Sequence, residues 1–198
     1  MNHWVLVLLL ALLSACAVPL KSDLPGEQTY RLAPSVTAAP QRLNANLYVP
    51  TLTVSPALDN DQIVLIKPRL KQDFIAQSRW PDDLSVYLHA VMLDALARSD
   101  GFQSVSAQLV GNDSHYKLLL RVDSFQAEYP TGAKGAAAVE IVMNAALVRV
   151  VDQQLLGQHR YVVRKDSVPV STGNIVAALN QALGEVIAAL VADLHGDL

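Results

Sequence analysis

The chain has 198 residues and a formal net charge of −3, from 15 Lys and Arg against 18 Asp and Glu. A faintly acidic chain with scattered basic residues lacks the clustered positive charge of nucleic-acid-binding domains, so we expect no nucleic-acid partner. The length is sufficient for one domain with a sizeable hydrophobic core.

An apolar run from Trp4 to Leu13 opens the chain and leads into Leu13-Ser14-Ala15-Cys16. The run is shorter than the roughly 20 residues of a membrane-spanning helix, but it fits the apolar region of a secretory signal. Small residues directly before a cysteine are typical of a lipoprotein cleavage site. The sequence therefore predicts a signal peptide over residues 1–15 and lipidation of Cys16, for example by palmitate. Because Cys16 is the single cysteine, we expect no disulfide and no cysteine-based metal site or nucleophile.

A flexible tether is predicted over residues 16–28, where Pro19, Pro25 and Gly26 interrupt polar residues that have no regular period. Its residues after the cysteine could hold the following domain up to about 40 Å from the lipid. We expect that domain to occupy residues 29–198, and with such a tether it need not lie on the membrane.

The first half of the domain shows short extended runs and then one helix. Pro50 predicts a bulge or an edge position within its run, and residues 58–61 have the composition of a turn. After Trp80-Pro81 the apolar residues recur at helical spacing, with Asp82 and Asp83 in the first turn and Gly101 at the end. The extended runs cover residues 29–32, 47–54, 62–66 and 73–77, with a loop over 34–46.

The second half predicts an antiparallel meander followed by a helix. Turn residues separate four extended segments, and alternate residues of the third segment form one apolar face. A capping sequence, Ser171-Thr172-Gly173-Asn174, begins a second amphipathic helix. We therefore expect an α+β domain, an antiparallel sheet with two helices packed on one face. The four segments are residues 102–110, 116–129, 136–151 and 155–168.

No motif in the sequence predicts a catalytic, metal or cofactor site. Asp59-Asn60-Asp61 opens like a calcium loop but has Val64 where glycine is needed and Leu70 where glutamate is needed. Residues 132–135 contain two glycines and a lysine, yet not in the order of a phosphate-binding loop. The histidines lack paired-ligand spacing, and no nucleophile motif is present, so we expect a protein that is not an enzyme.

Two places are candidates for a partner interface. Arg79-Trp80-Pro81 sets a cation and a large aromatic side chain at a junction between strand and helix. Trp80 either packs on the start of the helix as a hydrophobic staple or anchors an interface, where Trp and Arg are enriched. Lys134 is predicted at a hairpin tip, where a basic side chain could touch a partner.

The order of short motifs resembles the ABC-type transport auxiliary lipoproteins, the family of PqiC-like lipoproteins. The resemblance runs along essentially the whole chain, and its specific parts are the lipobox and the order of the motifs. These are Cys16, Tyr30-Arg31-Leu32, Leu52-Thr53-Val54, Ile63-Val64, Arg79-Trp80-Pro81, Gly101-Phe102, Leu118-Leu119-Leu120 with Phe125, and the Ala-rich last helix.

The resemblance implies an outer-membrane lipoprotein that faces the periplasm and forms a homo-oligomeric ring. Its implied partners are a mammalian-cell-entry (MCE) protein with its ABC permease and ATPase, and its implied cargo is phospholipid. Ala17, in place of Asp after the lipidated cysteine, implies sorting to the outer membrane. A monomeric lipid carrier, with an acyl chain between sheet and helices, is the alternative, since apolar residues that line a cavity and those of a packed core look alike in sequence.

Overall fold

The structure, a computed structural model, describes residues 26–109, 115–131 and 135–198. The predicted signal peptide, Cys16 and most of the predicted tether lie outside the described residues. So do Lys134 and the turn residues 111–113, which lie between the first two of the four extended segments predicted for the second half.

Within the described residues, nine strands form one mixed sheet and two α-helices pack against it, so the α+β fold class expected from the sequence is confirmed. The helices are α1 (Leu84–Arg98) and α2 (Thr172–Asp197). The strands are β1 (Gln28–Thr29), β2 (Leu43–Tyr48), β3 (Thr53–Val54), β4 (Gln62–Lys67), β5 (Lys71–Arg79), β6 (Phe102–Ser106), β7 (Tyr116–Glu128), β8 (Ala137–Arg149) and β9 (Leu155–Val168).

The sheet is organised around β7. On one side β7 pairs with β8 in antiparallel fashion along its whole length, and β8 pairs with β9 in the same way. On the other side three short strands run parallel to β7 in succession: β2 at Tyr116, β3 at Arg121 and β4 at Ala127. β6 extends this side through β2, while β5 and β1 extend it through β4.

Two details differ from the expected antiparallel meander. β7, β8 and β9 do form a meander, but β6 pairs with β2 in parallel, because α1 returns the chain before β6 begins. The run predicted over residues 47–54 is divided at Pro50 into β2 and β3, and β2 begins at Leu43, within the predicted loop. Proline cannot donate a ladder hydrogen bond, which explains the division.

The core lies between the sheet and the helices. Alternate residues of β8, predicted as the apolar face, are all buried at 0–3% exposure: Ala137, Val139, Ile141, Met143, Ala145 and Leu147. The two helices contact each other and contribute to one continuous cluster of buried side chains, so both cover the same side of the sheet. This burial of a period-two strand face under amphipathic helices is the main stabilising interaction of the fold.

The helix starts follow from local hydrogen bonds. The Oγ of Ser171 accepts a hydrogen bond from the Asn174 N–H at 3.2 Å, as the capping sequence predicts. α1 begins at Leu84, whose N–H donates to the Asn60 carbonyl, so the two predicted first-turn aspartates precede the helix. By length and composition α2 could cross a membrane, but its apolar stripe from Ile175 to Leu194 is buried in the core.

Candidate interaction surfaces

Trp80 lies in the core. Its side chain is 1% exposed and packs on Tyr87 at the start of α1 and on Phe125 of β7, with ring centroids 6.1 and 5.8 Å away. The Phe125 ring meets the indole edge-on, a favourable aromatic arrangement. Of the two alternatives left open by the sequence, Trp80 therefore follows the first, packing on the start of the helix. A buried indole has no exposed surface that a partner could contact.

Arg79 is half-exposed and joins two carboxylates. Its guanidinium contacts Glu27, at 3.0 Å, and Asp61, and both charges raise the pKa of Arg79, Asp61 the more strongly. The Asp61 carbonyl also accepts a hydrogen bond from the Trp80 N–H. Arg79 thus links the start of the described chain to the Asp59-Asn60-Asp61 turn, and Asp61 in that turn has a structural role. A partner contact at Arg79 stays a prediction.

Residues 30–37, which we term the N-terminal strap, contact both helices. The Tyr87 hydroxyl of α1 accepts a hydrogen bond from the Leu32 N–H. Asn180 of α2 holds Ala33 twice: its Oδ1 accepts from the Ala33 N–H at 2.8 Å, and its Nδ2 donates to the Ala33 carbonyl at 3.1 Å. This two-point contact gives the strap a fixed register on α2.

Glycine at position 184 lets the strap lie close to α2. A Cβ there would come within 3.2 Å of the Ser35 carbonyl oxygen, tighter than most van der Waals contacts. Open grooves of about 480 and 370 Å³ flank the strap and are lined in part by charged and polar side chains, including Arg31, Asp94 and Glu185. Acyl chains bind in apolar pockets, so these grooves do not favour the lipid-carrier alternative.

A second cluster, which we term the C-terminal latch, ties the last turns of α2 to β9. The Nε2 of His159 lies 2.8 Å from an Asp197 oxygen, and its Nδ1 lies 3.4 Å from Asp193. The Tyr161 hydroxyl donates to Asp193 at 2.9 Å, and burial together with this hydrogen bond raises the pKa of Tyr161 well above its usual value. Gly157 completes the latch, because a Cβ there would lie 1.8 Å from the Asp197 carboxylate.

The outer face of β7, β8 and β9, opposite the helices, is rich in charge. Asp123 lies at the irregular point of β7, where Arg121 and the Asn144 amide lower its pKa. Nearby, Arg164 of β9 contacts Glu128 at 2.7 Å and Asp166 at 3.0 Å. Within this network Val162 is 57% exposed and Leu119 is 41% exposed. The face therefore combines paired charges with isolated exposed apolar side chains.

Histidines do not converge on a metal or catalytic site within the described ranges. No group of three or more His, Cys, Asp or Glu side chains there is placed to hold a metal ion. Both ring nitrogens of His195 lie beside backbone carbonyls, those of Val191 and Gln41. The Nδ1 of His89 is buried without a hydrogen-bond partner among the described residues, and burial lowers the pKa of His89.

A comparison with known protein families identifies the family of this chain. The family model of the ABC-type transport auxiliary lipoprotein component matches residues 30–191. The chain belongs to this family. The match includes the strap, α1, all of the strands after β1 and α2 as far as residue 191, so the resemblance inferred from the order of motifs is confirmed.

Solved structures show the same fold as this auxiliary lipoprotein. A protein from Xanthomonas campestris is 23% identical, with a TM-score of 0.72 over 83% of this chain and 92% of its own. An uncharacterized protein is 19% identical, with a TM-score of 0.68 over 86% of this chain and 99% of its own. A search of curated proteins found no match.

Sequence reasoning missed both the strap and the latch. Asn180 and Ala33 are 147 residues apart, and no short-range pattern connects them. The signals available in the sequence were a glycine within a strong helix, Gly184, and two acids spaced along the last turn of α2, Asp193 and Asp197. Each gains a meaning only when its distant partner is known.

Proposed function

We propose that this protein is an outer-membrane lipoprotein that faces the periplasm and docks an MCE-type ABC transport system for phospholipids. The observation that carries this proposal is the match of residues 30–191 to the ABC-type transport auxiliary lipoproteins. The sequence supports it with the predicted lipid attachment at Cys16. In this role the protein is not an enzyme: it positions the MCE protein, its permease and its ATPase relative to the membrane.

Packing between sheet and helices supports docking over lipid carriage. Large side chains of both layers meet in the interior, among them Trp80, Met92, Phe125 and Met143, each at 0–2% exposure. A carrier needs an apolar cavity at this place, and these side chains occupy it. The exposed outer face of β7, β8 and β9 is the surface that we propose for protein contacts.

We further propose that the protein works as a homo-oligomeric ring. β9 has 14 residues and pairs only with β8 in the described part of the chain, so one of its edges presents unpaired backbone groups. If this edge contacts a different surface of a second copy, the two copies are arranged head to tail. Repeated head-to-tail contacts close into a ring when the rotation between neighbouring copies divides a full turn evenly. Docking around a conduit requires a closed arrangement of this kind.

The direct test is capture of the partner by the mature lipoprotein. The full chain, extracted in mild detergent, should retain the MCE protein and run as a defined oligomer in light scattering. A monomer at high concentration that captures no MCE protein would contradict the proposal. Mass spectrometry of extracted lipid adds a second readout, because a carrier would hold about one lipid per chain whereas a docking protein needs none.

Cys16→Ser tests the anchor separately. The substituted chain should fold and still bind the MCE protein, but phospholipid transport between membranes should be lost. Transport that persists with the protein free in the periplasm would show that the anchor is not part of the mechanism.

A further inference from the structure

The tip of the β4–β5 hairpin, residues 68–70, carries the most exposed large apolar side chain of the described chain. Leu70 is 91% exposed. Arg69 precedes it and Lys71 follows it, and all three residues stand in solvent. We term residues 68–71 the basic tip.

Neither packing nor turn conformation explains a leucine at this position. Arg69 and Leu70 both have positive φ, 66° and 58°, a conformation that hairpin turns usually assign to Asn, Asp or Gly. The side chain of Leu70 contributes nothing to the core, because it is almost fully exposed. A side chain that suits neither its backbone nor its surroundings in the isolated domain points to an external contact.

The charges around Leu70 indicate the chemistry of that contact. Lys67 pairs with Asp73 across the hairpin and lowers the pKa of Asp73. This leaves Arg69 and Lys71 beside the leucine as exposed cations. An apolar side chain flanked by cations matches a phospholipid surface, where the side chain enters the acyl region and the cations meet phosphate groups.

We propose that the basic tip inserts Leu70 into the phospholipid membrane to which Cys16 attaches the protein. This inference rests on the proposed function through the lipid anchor at Cys16. It adds a second, non-covalent membrane contact and thereby gives the domain a defined orientation on the membrane.

Chain length permits both contacts at once. The described chain enters beside Arg79, which pairs with Gln62 at the start of β4. The six residues of β4 place the tip about 20 Å beyond this point. Gly26 is ten residues after Cys16, a stretch that can reach about 34 Å. The anchor and the tip can therefore lie in the same membrane surface.

The β8–β9 hairpin provides a natural control. Its tip carries Val151, which is 86% exposed, but its neighbour Asp152 is acidic and pairs with Arg149. It also lies at the other end of β7, because Arg149 pairs with Tyr116 whereas Ile66 of β4 pairs with Glu128. Two hairpin tips of similar exposure thus differ in charge and in position.

The test uses the mature lipidated chain in vesicles. Leu70→Cys introduces a thiol that can carry an environment-sensitive fluorophore. Because the mature chain carries lipid on Cys16, the introduced cysteine provides the thiol for labelling. Val151→Cys gives the matched label at the other tip. In vesicles of phosphatidylethanolamine and phosphatidylglycerol we expect blue-shifted emission at position 70 that lipid-borne quenchers reduce several-fold, and aqueous emission at position 151. Phosphatidylcholine vesicles, or Arg69→Glu with Lys71→Glu, should reverse most of the shift at position 70.

Three results would overturn the proposal. The label at position 70 could stay aqueous in chains that float with the vesicles, it could match the label at position 151, or its blue-shifted emission could be insensitive to lipid-borne quenchers. The last result would assign the basic tip to a second copy of the chain or to a protein. Capture of the MCE protein is measured on the same samples: capture with an aqueous tip refutes only the insertion, and insertion without capture refutes only the docking function.

Discussion

Asn180→Ala should release the N-terminal strap from α2 while the rest of the fold stays intact. The Asn180 side chain makes two hydrogen bonds to the backbone of Ala33, at 2.8 and 3.1 Å, and alanine makes neither.

The magnitude follows from the two bonds. A neutral hydrogen bond contributes about 0.5–1.5 kcal/mol net, and both bonds are near solvent, so water replaces part of their value. We expect the free energy of local opening to fall by about 1–2 kcal/mol, which raises the open population roughly 5- to 30-fold. Leu32 remains bound to the Tyr87 hydroxyl, so the strap should open first from Ala33 onward.

Hydrogen exchange followed by mass spectrometry measures this effect. Peptides that cover residues 30–37 should exchange faster in Asn180→Ala, while peptides from β8 should be unchanged. Gln181→Ala is the matched control, because Gln181 is the exposed neighbour on the same helix. Unchanged exchange in the strap, or equal acceleration in β8, would refute the reasoning that Asn180 acts as a local clamp.

Three further substitutions test the core, the latch and the pH dependence. Trp80→Ala should lower the unfolding free energy by about 3–5 kcal/mol in denaturant titrations, since it empties a buried site between α1 and β7; a loss below about 1 kcal/mol would contradict its burial. Gly157→Ala should displace the Asp197 carboxylate from His159 and cost about 1–2 kcal/mol, with faster exchange confined to the end of α2. Burial lowers the pKa of His89 from 6.5, so the folded state binds fewer protons than the unfolded state. The unfolding free energy should therefore fall as pH drops below about 6.5, and His89→Gln should reduce this dependence on pH.

The sequence predicted the elements whose pattern is local. Alternation along β8 identified its buried face, and the spacing of apolar residues identified α2, because burial on one side imposes period two on a strand and period 3.6 on a helix. Ser171 at the helix start was predictable for the same reason, since a cap acts within three residues.

Features that depend on distant partners were not predictable in this way. Trp80 was compatible with a core position or an interface, and only Phe125, on a strand 45 residues later, decides between them. The pairing of β6 with β2 depends on the path of α1, which periodicity does not describe. For the strap, the sequence predicts an extended run over residues 29–32 and a loop over 34–46. It does not predict the contacts of the strap, because these hydrogen bonds go to side chains of the distant helices and form no ladder.

The two hairpin tips give the domain a direction, and that direction constrains the partner. β7 has 13 residues and spans about 40 Å, with the basic tip beyond one end and Val151 beyond the other. With Leu70 in the membrane, the end that carries Val151 and Leu155, both more than half exposed, faces away from it. An MCE protein that arrives from the periplasm should then meet this distal end. A photo-crosslinker at position 151 should capture it and one at position 70 should not; the opposite pattern would reverse the orientation.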